Sequence, residues 1–485
     1  MASDKNSFVS ALREICGDDM ITDVARLKVY ETDGLTAKKR VPWIVVLPST
    51  VSEVQRIVAL CARHKVPVVA RGAGTGLSGG AMPHGHGVLL SLAKFNKILE
   101  VDENARLARI EPGVTNLAIT KAVEHLGLYY APDPSSQIAC TIGGNVAENS
   151  GGVHCLKYGL TVHNVMGLKV VSPKGEIYEL GGDALDAAGF DLLAVMHGSE
   201  GMLGIVVEVT VKLLEKPSGV CVVLAAFDSV NAAAGCVGQI IADGILPAGL
   251  EMMDQLAAEA AEAFVHAGYP TDAASLLLCE LDGNAKEVQV QHEQLLSILD
   301  RCDAKSVSTA WDEAERFRLW QGRKAAFPAV GRIAPDYYCM DGTIPRKELP
   351  EVLTAITKLS EQFDLPCANV FHAGDGNLHP LILYDANDND QLQRAEEFGA
   401  QILALCIEKG GTITGEHGVG VEKIDQMCIQ FDEQELEIFH GIKSSFDQQG
   451  ILNPGKAVPT LSRCAEFGAM HVHVGEEKHS DLERF

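Results

Sequence analysis

The sequence lacks the cysteine spacing that marks the common redox and structural metal modules. Its 13 cysteines include no pair separated by two residues, which excludes a ferredoxin-type iron–sulfur cluster and a cysteine-rich zinc module in this chain. An odd, scattered set of cysteines in a chain of 485 residues is typical of reduced thiols in a cytosolic protein. We therefore expect free thiols and a cytoplasmic location.

Long apolar runs and an excess of positive charge are missing as well. No stretch approaches the roughly 20 apolar residues of a membrane-spanning helix, and the first residues form no apolar signal segment. A net charge of −25 argues against binding to nucleic acid or directly to an anionic membrane. An anionic substrate would therefore need a local cluster of arginine, histidine or metal.

What is present is an alternation of strand and helix patterns over about three domains, or two large ones, as the length suggests. Residues 43–47 predict a buried strand, and Thr50 with Glu53 predicts a capping box that starts a helix. A domain boundary is expected at residues 216–219, a Lys-Pro-Ser-Gly sequence. Beyond it, strands and helices alternate as in a small α+β domain.

Two glycine-rich stretches suit a ligand that carries phosphate groups. The first, residues 74–79, matches G-x-G-x-x-G after a predicted strand. It is followed neither by a helix nor by an acidic residue about 20 positions on, as a Rossmann fingerprint requires. We interpret it as a nest of backbone N–H groups around a pyrophosphate. The second, residues 141–152, offers more N–H groups and small hydroxyls. The alternative for each stretch is a tight surface loop.

Two histidines flank an Asp-Gly turn signal at residues 375–376. A type I′ turn there would place His372 directly opposite His379, with Cβ atoms about 4.5–5.5 Å apart. Two imidazoles at that distance could bind one metal ion. The Glu-His pair at residues 416–417 adds a carboxylate and a third imidazole, and three ligands with an open position are typical of catalytic metal sites. The alternative is a turn with two exposed histidines.

Together these motifs resemble the vanillyl-alcohol-oxidase-type flavoproteins, and among them the members that oxidise 2-hydroxy acids. The resemblance spans about residues 41–456. It implies an α+β fold, with a two-subdomain FAD-binding domain and an α+β cap domain that has an antiparallel sheet. The motifs are 71–75 (RGAGT), 133–136 (DPSS), 141–145 (TIGGN), 157–159 (KYG), 198–201 (GSEG), 372–379 (HAGDGNLH), 415–418 (GEHG) and 452–456 (LNPGK). The implied domains are an N-terminal helical segment (1–38), the FAD-binding domain (39–217), the cap or substrate and metal domain (218–430) and a C-terminal segment returning to the FAD domain (431–485).

The resemblance also implies FAD held without a covalent bond. Some relatives tether FAD through His or Cys, and His154 and Cys155 lie near that region, but the members most like this chain do not. Residues 71–76 would hold the pyrophosphate, and a residue of the C-terminal segment would return to the flavin. The residues implied in FAD binding are Arg71, Gly72, Ala73, Gly74, Thr75, Gly76, Pro134, Ser135, Ser136, Thr141, Gly144, Asn145, Ser150, Gly151, Glu200, Gly201, Gly204, Ile205 and Asn453.

The implied reaction is oxidation of a small 2-hydroxy acid, glycolate to glyoxylate in the first place. His372, His379 and Glu416 would hold a divalent metal, with zinc as first choice and manganese or iron also compatible with such ligands. His417 would act as the general base. Arg323 would clamp the substrate carboxylate in a bidentate manner; the alternative is a surface charge on a helix. The next residue, Lys324, is expected to be solvated.

Two positions bear on the size of the substrate. The 2-hydroxyglutarate enzymes of the family use a threonine and a lysine to hold the distal carboxylate, and here those positions are Phe327 and Cys339. This favours glycolate or D-lactate. The two acids differ by one methyl group, which a pocket discriminates by only about 1–3 kcal/mol.

Electrons must leave the flavin, and the chain has neither an iron–sulfur spacing nor a haem motif. The resemblance implies a second flavoprotein-like subunit and an iron–sulfur subunit, quinone as the final acceptor, and contact with the inner face of a membrane only through these partners. Residues 470–474 could dock such a partner; the alternative is a frayed terminus. Four alternatives stay open: an FAD-linked D-lactate dehydrogenase, an NAD-dependent dehydrogenase, a non-catalytic FAD-binding subunit, and a metal-only hydrolase.

Overall fold

The structure is a computed structural model that describes residues 2–184, 188–460 and 463–464; residues 470–474 lie outside them. Its α-helices are α1 (Ala2–Cys16), α2 (Val24–Leu27), α3 (Val51–His64), α4 (Asn116–Val123), α5 (Ile142–Glu148), α6 (Cys155–Tyr158), α7 (Thr161–Asn164), α8 (Leu192–Met196), α9 (Val230–Ala242), α10 (Gln255–Val265), α11 (Ala285–Arg301), α12 (Glu313–Ala329), α13 (Leu349–Phe363), α14 (Asn389–Glu408), α15 (Ile424–Gln430) and α16 (Glu433–Phe446).

The β-strands are β1 (Met20–Ile21), β2 (Ile44–Val46), β3 (Val68–Arg71), β4 (Val88–Ser91), β5 (Ile98–Asp102), β6 (Leu107–Ile110), β7 (Leu128–Tyr129), β8 (Val165–Val171), β9 (Ile177–Gly181), β10 (Ile205–Lys212), β11 (Leu214–Glu215), β12 (Gly219–Phe227), β13 (Gly249–Asp254), β14 (Ser275–Gly283), β15 (Ser306–Ala310), β16 (Asp336–Cys339), β17 (Cys367–Phe371) and β18 (Pro380–Tyr384). Short 3₁₀ helices lie at Gly17–Asp19, Lys28–Tyr30, Glu124–Leu126, Val330–Arg332 and Arg346–Glu348.

The described chain divides into two compact units. The first contains the residues up to Gly151, those of Leu160–Glu215, and those from Glu416 on; the second contains Gly152–Gly159 and Lys216–Gly415. The predicted domain limits stay predictions. Over the described residues, no helix has both the length and the apolar character that a membrane crossing needs.

The first unit contains two larger sheets, each with its own apolar core. One has the order β1-β2-β4-β3, in which β2, β4 and β3 are parallel and β1 is antiparallel. The other is an antiparallel sheet with the order β5-β6-β10-β8-β9. Helices α1 and α3 pack on the first sheet, and α4 and α5 pack on the second. Two sheets, each with its own packed helices, agree with the predicted pair of subdomains.

The predicted start of α3 is confirmed in detail. Thr50 Oγ1 accepts a hydrogen bond from the backbone N–H of Glu53, and the Glu53 carboxylate accepts one from the backbone N–H of Thr50. The apolar residues at helical spacing, among them Val54, Ile57 and Val58, are fully buried. The sequence pattern and the packed face therefore coincide here.

The second unit is built on one seven-stranded sheet with the order β15-β12-β14-β13-β17-β18-β16. Every pairing in it is antiparallel. This is the antiparallel sheet that was predicted for the cap. Strand β13 lies inside the sheet between β14 and β17, so its backbone is hydrogen-bonded on both sides.

The hairpin that carries the two histidines differs from the prediction. His372 forms an isolated antiparallel bridge with Asn377, and not with His379. The loop has four residues, 373–376, with the Gly376 N–H donating to the His372 carbonyl at 3.1 Å. Of the Asp-Gly pair only Gly376 has a positive φ, +84°, so the predicted type I′ turn is wrong. The shift is two residues, which leaves both histidines on the same face of the sheet.

The alternative of a tight surface loop is wrong for most of the second glycine-rich stretch. Residues Ile142–Glu148 form α5, which ends where Asn149 takes a left-handed conformation with φ +53°. Ile142 and Val146, one turn apart, are both fully buried. Burial of this face outweighs the low helix propensity of the two adjacent glycines.

The expectation of uniformly reduced thiols is wrong for one pair. Cys428 on α15 and Cys464 form a disulfide bond, with Cα atoms 5.3 Å apart although the residues are separated by 36 positions. The other cysteines among the described residues form no disulfide bond. A spacing of this kind gives no signal in the sequence, because only the fold brings the two Cα atoms within bridging range.

The capping box gives a first prediction. Thr50→Ala removes the side-chain acceptor of the Glu53 N–H and should lower the free energy of unfolding by about 1 kcal/mol, measured by chemical denaturation. Thr115→Ala is the matched control, because Thr115 is the N-cap of α4 and its side chain makes no capping hydrogen bond. We expect a smaller loss there. Equal losses would contradict the role of the capping hydrogen bond.

Candidate functional site

Two buried histidines lie at the end of the β17–β18 hairpin in the second unit. His372 directly follows β17 and His379 directly precedes β18. Their rings are edge to face, with centroids 5.1 Å apart. The two residues are 4% and 2% exposed, so the alternative of two exposed histidines in a turn is wrong. Two buried imidazoles at this distance can both act as ligands of one metal ion.

A buried carboxylate that the sequence did not reveal orients one of these histidines. Glu251 on β13 is fully buried, and its Oε1 lies 2.7 Å from Nδ1 of His372. Its Oε2 accepts a hydrogen bond of 2.8 Å from Nε of Arg323. Burial by itself would raise the pKa of Glu251, but its electrostatic interactions and hydrogen bonds with His372 and Arg323 lower it below its usual range.

Arg323, the predicted substrate clamp, is therefore an internal residue. It lies on α12, is 1% exposed, and forms an ion pair with Glu251, with a nitrogen–oxygen distance of 2.7 Å. The next residue, Lys324, is exposed. The alternative of a surface charge on a helix thus fits Lys324 and does not fit Arg323.

The two positions used in the argument about substrate size surround His379. Sγ of Cys339 lies 4.0 Å from Nδ1 of His379, and the ring of Phe327 lies edge-on to the imidazole at a centroid distance of 6.1 Å. Cys339 is buried. The structure therefore brings both residues to the histidine pair, as the local sequence match suggested.

The segment that leads to Glu416 is anchored within the second unit. The Thr414 hydroxyl donates to Oδ2 of the buried Asp341 at 2.6 Å, and the Gly415 N–H donates to the Asp341 carbonyl at 2.8 Å. A Cβ on Gly415 would lie 2.6 Å from the side chain of Asn377. Glu416 and His417 follow directly and are counted with the first unit. There, Oε2 of Glu416 accepts a hydrogen bond of 3.0 Å from the Gly151 N–H.

In the first unit, the two glycine-rich stretches meet. A Cβ on Gly72 would overlap Oγ1 of Thr141, the N-cap of α5. That hydroxyl oxygen is buried and has no hydrogen-bond partner in the described structure. At Gly76, in contrast, an added Cβ would meet only Oε1 of Glu148, at 3.8 Å. Exposed backbone amides, an unsatisfied hydroxyl and open space fit the phosphate groups of a dinucleotide.

Several other predicted cofactor residues make contacts within the protein. Arg71 donates to the Thr32 carbonyl at 2.7 Å. Asn145 donates to Oδ1 of Asn116 at 2.9 Å. The Asn453 amide donates to the carbonyls of Gly80 and Glu200, at 2.9 and 2.6 Å. These hydrogen bonds hold the loops in place. A contact with a cofactor would therefore come mainly from the backbone and from side-chain atoms that make no such bond.

The remaining predicted cofactor residues lie in the first unit along the same elements. Pro134 is buried, Ser135 is exposed and Ser136 is half-buried, in the turn before α5. The others are located as follows: Ala73, Gly74 and Thr75 in the first loop, Gly144 in α5, Ser150 and Gly151 after α5, and Gly201, Gly204 and Ile205 at the start of β10.

A cluster of buried charges fixes the first glycine loop to the C-terminal segment. The Glu200 carboxylate accepts from the N–H groups of Val419 and Gly420, at 2.7 and 2.8 Å. The Lys456 ammonium donates to the Gly80 carbonyl at 2.9 Å, and burial lowers the pKa of Lys456 to about 7. Burial and the neighbouring Glu200 carboxylate raise the pKa of Glu148 well above its ordinary range. Of these residues the sequence pointed to Glu200 and, through the LNPGK motif, to Lys456; Glu148 gave no signal.

Comparison with known proteins gives concordant results. Residues 216–457 match the family model "FAD linked oxidases, C-terminal domain", and residues 42–181 match "FAD binding domain". The glycolate oxidase subunit GlcD of Escherichia coli (strain K12) is 60% identical, over 99% of this chain and 97% of that protein. A D-lactate dehydrogenase of Anaerostipes hadrus is 33% identical, over 93% of this chain and 96% of that protein.

Among solved structures, p-cresol methylhydroxylase with substrate bound superposes with a TM-score of 0.79 over 94% of this chain and 97% of that one. The sequence identity is 17%, so this likeness concerns the fold alone. Together with the two matched family models, it confirms the predicted α+β fold of the vanillyl-alcohol-oxidase type with an FAD-binding domain.

The open space at Gly76 gives a second prediction. Gly76→Ala should leave the stability of the FAD-free protein within about 0.5 kcal/mol of the wild type, because the methyl group meets no atom nearer than 3.8 Å. If the pyrophosphate lies against this backbone, the same methyl group should weaken FAD binding about tenfold or more, equivalent to at least roughly 1.4 kcal/mol. The measurements are chemical denaturation of the FAD-free protein and titration with FAD.

Gly235→Ala on α9 is the control, because a Cβ there meets no atom within 4 Å. It should leave FAD affinity unchanged. Unaltered FAD binding by Gly76→Ala would contradict the placement of the pyrophosphate.

Proposed function

The chain belongs to the FAD-linked oxidase family, and on that premise we propose that it oxidises glycolate to glyoxylate. The observation that carries the proposal is the 60% identity to a glycolate oxidase subunit over almost the whole of both chains. FAD binding is supported independently by the match over residues 42–181. The chain is thus an FAD-dependent hydroxy-acid oxidoreductase, and FAD when bound supplies the acceptor of the substrate hydride.

Oxidation of D-lactate is the second candidate function. The observation in its favour is the relative from Anaerostipes hadrus, named a D-lactate dehydrogenase, at 33% identity. The lower identity makes it the weaker candidate. The match to an FAD-binding model argues against the NAD-dependent and metal-only alternatives.

The surroundings of His379 support a small substrate. Phe327 and Cys339 border this histidine, and neither offers a positive charge to a second carboxylate. A buried carboxylate without a partner is strongly disfavoured. We therefore propose that dicarboxylic 2-hydroxy acids are excluded, and that the choice between glycolate and D-lactate depends on the space available for one methyl group.

For the metal, the donor set fits a divalent ion. Two buried imidazoles lie with ring centroids 5.1 Å apart, and the carboxylate residue Glu416 follows the anchored Gly415 by one peptide bond. We propose that His372, His379 and Glu416 hold the ion, zinc in the first place, with manganese or iron also compatible. When bound, it would supply a Lewis acid that lowers the pKa of the substrate hydroxyl.

The protein's own side chains would position the substrate and move its proton. His417, next to the proposed ligand Glu416, is the proposed general base, because imidazole is the side chain most used for proton transfer near neutral pH. Arg323 would bind the substrate carboxylate through the N–H groups that Glu251 does not use.

Partners and location belong to the proposal as well. The relative from Escherichia coli is named a subunit, which supports a multi-subunit complex for this chain. We propose a second flavoprotein-like subunit and an iron–sulfur subunit that carry electrons to quinone. In this proposal the chain is cytoplasmic and reaches the inner face of the membrane only through these partners.

A third prediction tests the substrate. Anaerobic addition of glycolate to the oxidised, FAD-loaded protein should bleach the flavin absorbance, D-lactate should do so more slowly, and D-2-hydroxyglutarate should have little effect. Faster bleaching by D-lactate would favour D-lactate as the substrate and contradict the assignment of glycolate. A yellow protein that none of the acids bleaches would contradict the substrate class, and a colourless protein that cannot be reconstituted would contradict FAD binding.

A fourth prediction tests the base. His417→Ala should retain FAD and slow flavin reduction by glycolate about 10²–10⁴-fold, the usual contribution of a positioned general base, measured by stopped-flow absorbance. His125→Gln is the control, since His125 is an exposed histidine. A rate in His417→Ala that equals that of the control would rule out this role.

A further inference from the structure

Glu251 contacts both the proposed metal ligand His372 and Arg323, the residue proposed to bind the substrate carboxylate. Each of its two carboxylate oxygens has one partner: Oε1 lies 2.7 Å from Nδ1 of His372, and Oε2 accepts from Nε of Arg323 at 2.8 Å. The residue is fully buried. Because Glu251 lies in the interior, these two contacts fix the direction of its carboxylate.

The contact with Glu251 determines which ring nitrogen of His372 carries the lone pair that a metal would use. An ionised carboxylate can only accept hydrogen bonds, so the neutral imidazole must carry its proton on Nδ1. The lone pair is then on Nε2, which points away from Glu251. A ligating histidine is commonly fixed in this way by a carboxylate behind it, and loss of such a carboxylate typically weakens metal binding 10–100-fold.

The contact with Arg323 fixes the guanidinium and allows it to be buried. Arg323 is 1% exposed, and a charge in such a place is tolerated only when it is paired. Glu251 occupies the edge of the guanidinium that carries Nε, and a terminal nitrogen lies 2.7 Å from the same Oε2. In the proposed function, the N–H groups that do not contact Glu251 would bind the substrate carboxylate.

The backbone under Glu251 is rigid enough for this task. Glu251 pairs with Leu278 of β14, and the next residue, Met252, pairs with both Leu277 and Phe371. His372 directly follows Phe371. The carboxylate and the imidazole are thus carried by adjacent, hydrogen-bonded strands, and their relative position is set by the sheet register.

We propose that Glu251 is a positioning residue that fixes His372 for metal binding and Arg323 for substrate binding through one carboxylate. This inference rests on the proposed function, in which His372 binds the metal and Arg323 the carboxylate. Removal of Glu251 should therefore impair both metal binding and substrate binding, whereas a mutation of His372 or of Arg323 would remove only one of the two contacts.

The test uses the full-length, FAD-loaded protein, stripped of metal by a chelator and titrated with zinc by calorimetry. Glu251→Gln should weaken zinc binding about 10–100-fold and, at saturating zinc, raise the KM for glycolate more than it lowers kcat. Zinc affinity equal to that of the wild type would overturn the inference.

Glu280→Gln is the matched control. Glu280 lies on the neighbouring strand β14 and is the partner of a histidine as well, with 3.0 Å between its Oε1 and Nε2 of His154. We expect its zinc affinity to equal that of the wild type. An equal loss in both variants would mean a general effect on the sheet and would overturn the inference.

A second variant covers the case in which Glu251→Gln does not fold. The double substitution Glu251→Leu with Arg323→Met replaces the buried ion pair by apolar groups, an exchange that is often neutral for stability. It should fold and still bind zinc weakly. Wild-type zinc affinity in the double variant would overturn the inference.

The proposed function is checked separately by the wild type. Wild-type protein that binds no zinc would overturn the metal proposal and this inference together. Wild-type protein that binds zinc but is not reduced by glycolate would overturn the substrate, and the zinc affinities of the variants would still decide the role of Glu251.

Discussion

Charge that is buried away from water must be neutralised within the protein, and this constraint determines the centre of each unit. In the second unit, Glu251 is held between Arg323 and His372. None of the three can change its direction without leaving a buried charge unpaired. The Glu251 carboxylate therefore links strand β13 to both the hairpin and the helix α12, and its contact with His372 orients that histidine.

In the first unit the same constraint joins segments that are far apart in the chain. The Glu200 carboxylate is satisfied by backbone N–H groups of residues 419 and 420, and the Lys456 ammonium by carbonyls of Gly80 and Met82. Such contacts need a close approach of the backbone. A Cβ on Gly80 would lie only 2.7 Å from Oε1 of Glu148. The first glycine loop thus has its shape because its neighbours are charged and buried.

The pattern-based predictions succeeded where local sequence decides the structure. The capping box at Thr50 depends on two side chains three residues apart, and its helix depends on an apolar face of regular spacing. The α+β character of the second unit followed from the alternation of strands and helices after residue 219, and its antiparallel sheet was implied by the resemblance. The failures have a common cause. The type I′ turn at residues 375–376 and the loop alternative for residues 141–152 both rest on turn residues alone, whereas packing selected a four-residue loop and the helix α5.

The sequence by itself determined the family, the cofactor class and the residues His372 and His379, because these depend on which side chains are present in recognisable motifs. It also determined that the two histidines share a face, since a strand alternates with a period of two. Only the tertiary structure decided the register of the hairpin, the disulfide between Cys428 and Cys464, and the burial of Arg323 against Glu251. Each of these depends on residues distant in the chain meeting in space, and Glu251 in particular stands in no motif. Its importance arises because a carboxylate on an inner strand must find its partners within the protein.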